Sequence, residues 1–342
     1  EYSHNESQDV KEKAGDRRDF FENWTEAYLT YKNFRLGLRF ESHSPPQVFA
    51  LNQEVRNRLE HRFLEYSTGN INARIGTFYN LYGRGLVTRF YENRILRYDT
   101  RIDGAKFDYF HSKFDLKLMV GEPINRLNER QALIQAGELR LKPFRKFHLG
   151  GTVLTTRPDG MDDRLNWGSI FSEINFKYGN LYGEYAREDY PSGVNTGDAI
   201  YLSGNFYLGA FSLLSEYKDY NDFDQVEGVT FNNPPLVGQE HLYTLLNRHQ
   251  LVQNANDEQG FLVQGSYPLI EDGILTVNYS RTTNSNDVEL YEEIYGQFEW
   301  FSPGGWEWAW AGSRQKDAAA RYLNLVASTS MDISDYNSVK VI

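Results

Sequence analysis

The sequence predicts an all-β protein: an up-and-down antiparallel transmembrane β-barrel of about 18 or more strands, with short periplasmic turns and long extracellular loops. Three observations carry that expectation. Short turn-forming clusters recur, most of them roughly 30–43 residues apart, which leaves room for two strands of about ten residues and a loop. The stretches that flank the turns alternate apolar and polar residues. Aromatic side chains gather beside the same turns.

Taken in order, residues 1–20 are charged and aperiodic and read as a flexible N-terminal arm. Residues 21–342 read as a single barrel domain. The pattern starts at Asn23-Trp24-Thr25 and is cleanest after the turn at Lys32-Asn33. There Phe34, Leu36, Leu38 and Phe40 alternate with Arg35, Gly37, Arg39 and Glu41. Further short turns are expected at Gly69-Asn70, Ser112-Lys113, Pro143 to Lys146, Gly179-Asn180, Leu208-Gly209, Pro268 to Gly273, Ser302 to Gly305 and Ser334 to Asn337. Between them, Phe114, Leu116, Leu118 and Val120 alternate with Asp115, Lys117 and Met119; Ile170, Ser172, Ile174 and Phe176 alternate with Phe171, Glu173 and Asn175. Charges at this spacing do not suit a dry core. A sandwich would turn them to bulk water and a wide barrel to a wet lumen, so alternation by itself leaves both open.

The longer connections favour the barrel, because they fall on the other side of the count. They are Ser42 to Val55, Gly121 to Leu133, Thr155 to Asn166, Asp189 to Asp198 and Asp222 to Glu258. The last is expected to hold a short helix around Gly238 to Gln250 that caps the barrel or folds inward. Asn337 to Ile342 reads as the start of a strand without a terminal aromatic, so the natural chain is expected to continue past Ile342, leaving this barrel truncated at its C-terminus.

Composition agrees. No apolar run approaches the roughly 18 residues of a membrane helix. A mean hydropathy of -0.62 still suits a barrel, in which only alternate strand residues face lipid. The 24 Tyr, 22 Phe and 6 Trp against 3 Met suit strands and membrane interfaces. Trp306, Trp308 and Trp310 share one strand face beside a short turn, and with Tyr178 and Tyr182 they are the candidate membrane-interface aromatics of an aromatic girdle. The absence of cysteine removes disulfide staples, thiolate metal sites and a cysteine nucleophile. A net charge of -11 argues against nucleic acid as a partner.

The densest stretch is Gly76 to Gly104. Gly83 and Gly85 allow close backbone approach, and Arg89, Arg97, Arg101, Asp99 and Asp103 share one parity, so an unbroken strand would set them on one face. With Arg35, Arg39 and Arg74 they are the candidate lumen and constriction charges, since arginines beside carboxylates in a wet lumen discriminate solutes. The plainer alternative is a ladder of ion pairs that only fills the lumen. No G-x-S-x-G, H-E-x-x-H or P-loop is present, and the histidines are scattered. No catalytic residue, metal or cofactor is expected; Asp162-Asp163 and Asp219-Asp222-Asp224 read as solvated acidic loops.

Residues Gly76, Phe78-Tyr79, Tyr82-Gly83, Gly85-Leu86, Tyr91-Glu92, Arg94, Asp99 and Gly104, with the opening Phe21 to Glu26, Phe34 to Glu41 and Pro45-Pro46, carry a family likeness. On them the chain resembles a family of uncharacterised, porin-like outer-membrane barrels of Bacteroidota. The resemblance covers roughly residues 20–110 and implies an outer-membrane location with no assigned biochemical activity. The expected function is porin-like passage of small solutes, in transport. The alternatives are a filled barrel that anchors or scaffolds a surface lipoprotein or secretion assembly, and a soluble secreted glycan-binding β-protein. The expected partners are outer-membrane lipids and lipopolysaccharide, with a surface lipoprotein or other outer-membrane subunit.

Overall fold

The computed structural model describes residues 2–4, 19–44, 56–94, 98–124, 129–158, 163–189, 196–223, 232–238, 241, 243, 246, 257–317, 320–334 and 337–341. They are all-β, antiparallel and up-and-down. The chain divides into two compact units, residues 1–141, 151–168 and 225–233 in the first, and 142–150, 169–224 and 234–342 in the second.

The first unit contains β1 (Tyr2–His4), β2 (Asp19–Tyr31), β3 (Phe34–Ser44), β4 (Arg56–Ser67), β5 (Ile71–Phe78), β6 (Asn80–Tyr82), β7 (Thr88–Phe90), β8 (Glu92–Asn93), β9 (Tyr98–Asp99), β10 (Ile102–Phe110) and β11 (Phe114–Pro123). Next come β12 (Ile134–Phe144), β13 (Phe147–Thr156) and β14 (Leu165–Phe176), each with residues in both units. Consecutive strands pair from β1 to β5; β5 then pairs with β10 and passes over four short strands. From β10 the ladder runs on to β11 and β12.

Side chains alternate between an open face and a covered one, as the two-residue repeat of a strand requires. On β3 the open face carries Phe34, Leu36, Leu38 and Phe40, and the covered face Gly37 and Arg39. On β11 the open face carries Leu118 and Val120, and the covered face Asp115 and Met119. The covered face is rich in charge: Arg35 opposes Glu65 and Glu65 opposes Arg74, while Arg74 opposes Lys106, whose ammonium lies 3.3 Å from Asp108. A second row runs Asp108, Lys117, Glu138, and Asp115 faces Arg140. Opposite charges directly across a strand pair attract, and like charges there repel.

The second unit holds β15 (Gly179–Asp189), β16 (Asp198–Leu208), β17 (Phe211–Asn221), β18 (Asp257–Ile270), β19 (Gly273–Thr283), β20 (Glu289–Phe301), β21 (Trp306–Asp317), β22 (Arg321–Ser334) and β23 (Asn337–Val341). Each pairs antiparallel with the next. Its open face is aliphatic, with Leu323 and Leu325 exposed at 75% and 72%. Its covered face carries Glu184, Glu188, Lys218, Glu258, Asn278, Ser280 and Glu293.

The expected turns appear among the described residues, with shifts of up to two residues; the middle of the one expected at Ser334 to Asn337 falls outside them. Lys177-Tyr178, Gly209-Ala210 and Glu271-Asp272 make turns expected at Gly179-Asn180, Leu208-Gly209 and Pro268 to Gly273. Gly179 opens β15 instead, at a position only glycine fits, since a Cβ there would meet Asn205 O at 1.9 Å. Lys32 and Asp272 take φ of 52° and 56° in two-residue turns, the left-handed geometry of tight hairpins. The N-terminal segment departs from the expected arm at Tyr2–His4, which pairs with Asp19 to Phe21. The open edge of β2 offers backbone donors and acceptors to any strand, whatever its side-chain pattern. The helix expected around Gly238 to Gln250 falls largely outside the described residues.

Candidate functional site

The largest departure from regular pairing is the segment between β5 and β10. An unbroken strand there would set Arg89, Arg97, Arg101, Asp99 and Asp103 on one face. The chain instead turns through residues 83–87 and forms two small ribbons, β6 with β7 and β8 with β9. Glycine makes this path: Gly76, Gly83 and Gly85 have φ of 99°, 54° and 91°. At Gly76 a Cβ would sit 2.2 Å from Arg62 O, so the kink that leaves the sheet needs the missing side chain.

One side of this insert is apolar and dry. Phe78, Tyr82, Leu86, Val87, Phe90 and Ile102 are 0–2% exposed. Asn232 Nδ2 donates to Leu86 O at 2.9 Å, and Asn233 Nδ2 donates to Tyr91 Oη at 2.6 Å. Gly83 N donates to Glu138 Oε2 at 2.6 Å, while Lys117 Nζ lies 2.8 Å from Glu138 Oε1.

The other side is charged, with Arg39 at its centre. Arg39 donates from Nη1 and Nη2 to Glu92 at 2.8 and 3.0 Å, and from Nε to Glu26 Oε1 at 3.0 Å. Its Nη1 also lies 3.0 Å from His61 Nε2 and 3.3 Å from Glu41 Oε1. Arg94 of the insert reaches back to Glu26 at 2.8 Å and Glu92 at 3.2 Å. Beside this hub Arg101 pairs with Asp99 at 2.7 Å and with Glu60. Tyr79 donates to Asp99 Oδ1 at 3.0 Å and lies 3.2 Å from His61 Nε2.

Burial on its own would raise the Asp99 carboxyl. The hydrogen bond with His61 and the charge and hydrogen bond of Arg101 outweigh it and hold the group down at about 2. Burial, then the Asp99 and Glu92 charges, push the Tyr79 phenol upward. Asp99 therefore stays anionic and Tyr79 stays a donor at any physiological pH.

The other predicted charges are distributed more widely. Arg35 lies over the Tyr28 ring at 4.3 Å, and Arg74 over the Phe63 ring at 4.0 Å while paired with Glu65. Arg89 covers the Tyr91 ring at 4.7 Å. Asp103 accepts from Arg62 at 3.0 Å and Arg130 at 2.6 Å, away from the Arg39 hub. Arg97 lies outside the described residues. Sequence reasoning missed His61, Glu92 and Arg94 as members of the hub. For His61 the only signal is its register opposite Arg39.

Of the aromatics, Trp306, Trp308 and Trp310 lie on the open face of β21, with successive ring centroids 6.2 and 6.0 Å apart. Trp300 opposes Trp308 on β20, and Tyr178 is exposed in its turn. Tyr182 corrects the expectation of a membrane-facing ring. It is 5% exposed on the covered face and donates to Glu184 Oε2 at 2.7 Å. Two-residue alternation puts Tyr182 with Glu184 and Ala186, opposite to Leu181. On the open face of β10 to β14 a groove of about 750 Å³ runs over Ala105 and Gly137 between Phe107, Leu118, Val120 and Val153.

Residues 2–299 match a family described as a family of unknown function, DUF6029. No curated protein matches the chain in sequence. Among solved structures the chain is similar to Pseudomonas aeruginosa OccK5 (OpdH), at 13% identity and a TM-score of 0.53, covering 94% of this chain and 96% of that one. It is similar to Pseudomonas aeruginosa OpdQ at 11% identity and a TM-score of 0.55, covering 94% and 89%. Escherichia coli Wzi, an outer-membrane protein involved in group 1 capsule assembly and a carbohydrate-binding β-barrel, aligns at 8% identity and a TM-score of 0.50, covering 95% and 78%. These neighbours are outer-membrane β-barrels, and the likeness is one of fold.

Proposed function

We propose that this chain, which belongs to the DUF6029 family of unknown function, is a single outer-membrane barrel that passes small polar solutes. The observation that carries the reading is the covered face of the first unit, where acids and bases lie opposite one another on neighbouring strands, as in Arg35–Glu65–Arg74 and Asp108–Lys117–Glu138, beside the ion-paired cluster around Arg39. Such a face costs free energy in a dry core and suits a wet lumen, where fixed charges of both signs set up a transverse field. Arg35, Arg74, Asp99 and Asp103 are the charges a solute meets, while Arg39 and Arg101, both buried in ion pairs, shape the field from behind them. The aliphatic open face, its groove and the tryptophan row support contact with lipid acyl chains and headgroups. An apolar surface of that extent also argues against a soluble glycan-binding protein.

The test is ion conductance of the refolded protein in planar bilayers. Discrete current steps are expected, and their size should change in Arg39→Ala. Folded protein that inserts and carries no current overturns the pore reading.

A second reading, a filled barrel serving as anchor or scaffold for a surface lipoprotein, is favoured by one feature. The insert buries Tyr82, Leu86, Val87 and Phe90 against Phe78 and Ile102 of the flanking strands, so part of the interior is solid protein. Deleting the insert separates the two: a filled barrel gains conductance only then, and a narrowed pore conducts before and after.

A further inference from the structure

In the second unit, the covered faces of β19 and β20 hold polar side chains whose hydrogen-bonding capacity the chain leaves unused. Ser280 is 0% exposed and its Oγ has no partner; Asn278 is 2% exposed and neither atom of its amide has one. Register sets Ser280 directly opposite Glu293 and Asn278 opposite Tyr295, so Ser280, Asn278 and Glu293 are neighbours on one face. Glu293, itself 0% exposed, is gripped at Oε1 and also hydrogen-bonds with Tyr291. His241 Nε2 lies 2.7 Å from Oε1, and Gln315 Nε2 donates to the same atom at 2.8 Å. The His241 ring is stacked on Tyr295 with centroids 3.9 Å apart, which holds the imidazole in place. Oε2 has no partner.

Three oxygens are therefore gathered and unmatched: a carboxylate oxygen, an amide oxygen and a hydroxyl. A buried oxygen of this kind must find a donor, a water or a metal. Glu184, Glu188 and Glu258 lie on the same covered face of this unit, and its buried ammonium, Lys218, is engaged with Glu258.

We propose that Glu293 Oε2, Asn278 Oδ1 and Ser280 Oγ bind a hard divalent cation of the calcium type. All three donors are oxygens, one is anionic, and they come from side chains on two adjacent strands. That set fits a calcium-type ion, which accepts mixed carboxylate, amide and water oxygens in flexible geometry. Asn278 Nδ2 then donates to a water on the ion, and the His241–Gln315 grip aims the carboxylate, as outer partners do in metal sites. The site depends on the fold of this unit alone and stands whether or not the barrel conducts.

Terbium is a suitable probe, because Tyr291 and Tyr295 flank Glu293 on the same face, each about 7 Å along the strand, and would sensitise its emission. We expect tyrosine-sensitised terbium luminescence from the full chain in detergent, displaced by calcium. It should fall at least fivefold in the Asn278→Ala, Ser280→Ala double variant and stay unchanged in Glu292→Gln, on the opposite face of β20. The thermal midpoint should rise with calcium in the wild type and Glu292→Gln and not in the double variant. Glu293→Gln keeps the shape of the buried side chain and should lose the signal as well. Emission equal in all variants, or no cation-dependent shift in midpoint, overturns the proposal and leaves these oxygens to water.

Discussion

Arg39 holds Glu92 by two parallel hydrogen bonds, at 2.8 and 3.0 Å, and so ties the insert between β5 and β10 to the wall strand β3. The planar fork of a guanidinium matches a carboxylate in this way and an ammonium does not. Most of the charged side of the insert is organised by that one contact.

Arg39→Ala should therefore cost about 2 kcal/mol of unfolding free energy, because it leaves Glu92 and Glu26 to share the more exposed Arg94. Arg39→Lys should recover less than half of the loss. Urea unfolding from detergent micelles, followed by tryptophan fluorescence, measures both.

Acid should weaken the same region through Asp99. Its carboxyl is held at about 2 in the folded chain against an ordinary 3.8, so its contribution is complete above about pH 4 and fades as pH falls toward 2. The difference corresponds to about 2 kcal/mol. Unfolding measured from pH 5 to pH 2 should show that slope in the wild type and a flatter one in Asp99→Asn.

Gly76→Ala should be among the most damaging glycine substitutions. It combines a φ of 99° with a Cβ placed 2.2 Å from a backbone oxygen, a cost of roughly 2–4 kcal/mol. Gly69→Ala, whose Cβ would meet nothing within 4 Å, should be nearly neutral. Thermal midpoints of the two variants compare them directly.

The tryptophan row predicts depth in a bilayer. Trp308, stacked at 6.0 Å on Trp310 on the open face, should be quenched by lipids brominated near the headgroup and little by lipids brominated at the chain end. Variants that retain only Trp306, Trp308 and Trp310 isolate the signal. Quenching by aqueous iodide instead would remove these residues from the membrane interface.

The strands and hairpins were legible because a two-residue repeat in a half-apolar strand is a strong local signal, as in Phe34 to Glu41 and Phe114 to Val120. Tyr182 could have been placed correctly by the same parity, since it falls with Glu184 and not with Leu181. The insert was not legible. Arg89 through Asp103 keeps strand parity while Gly83 and Gly85 break the path, and only tertiary contacts reveal where the broken pieces go. His61, Glu92 and Arg94 belong to that region, and their roles arise from a register and a fold-back that no short window of sequence contains. The attachment of Asn232-Asn233 to the insert is likewise a long-range fact.

That attachment has a kinetic consequence. Asn232 meets the carbonyl of Leu86 across 146 residues, so the partner that clamps the insert emerges only after β17 has been made. Contacts this distant in the chain form slowly. Until it docks, the loop at residues 83–87 lacks this clamp, and the refolding chain should be cut by protease there before the rest of the insert is protected.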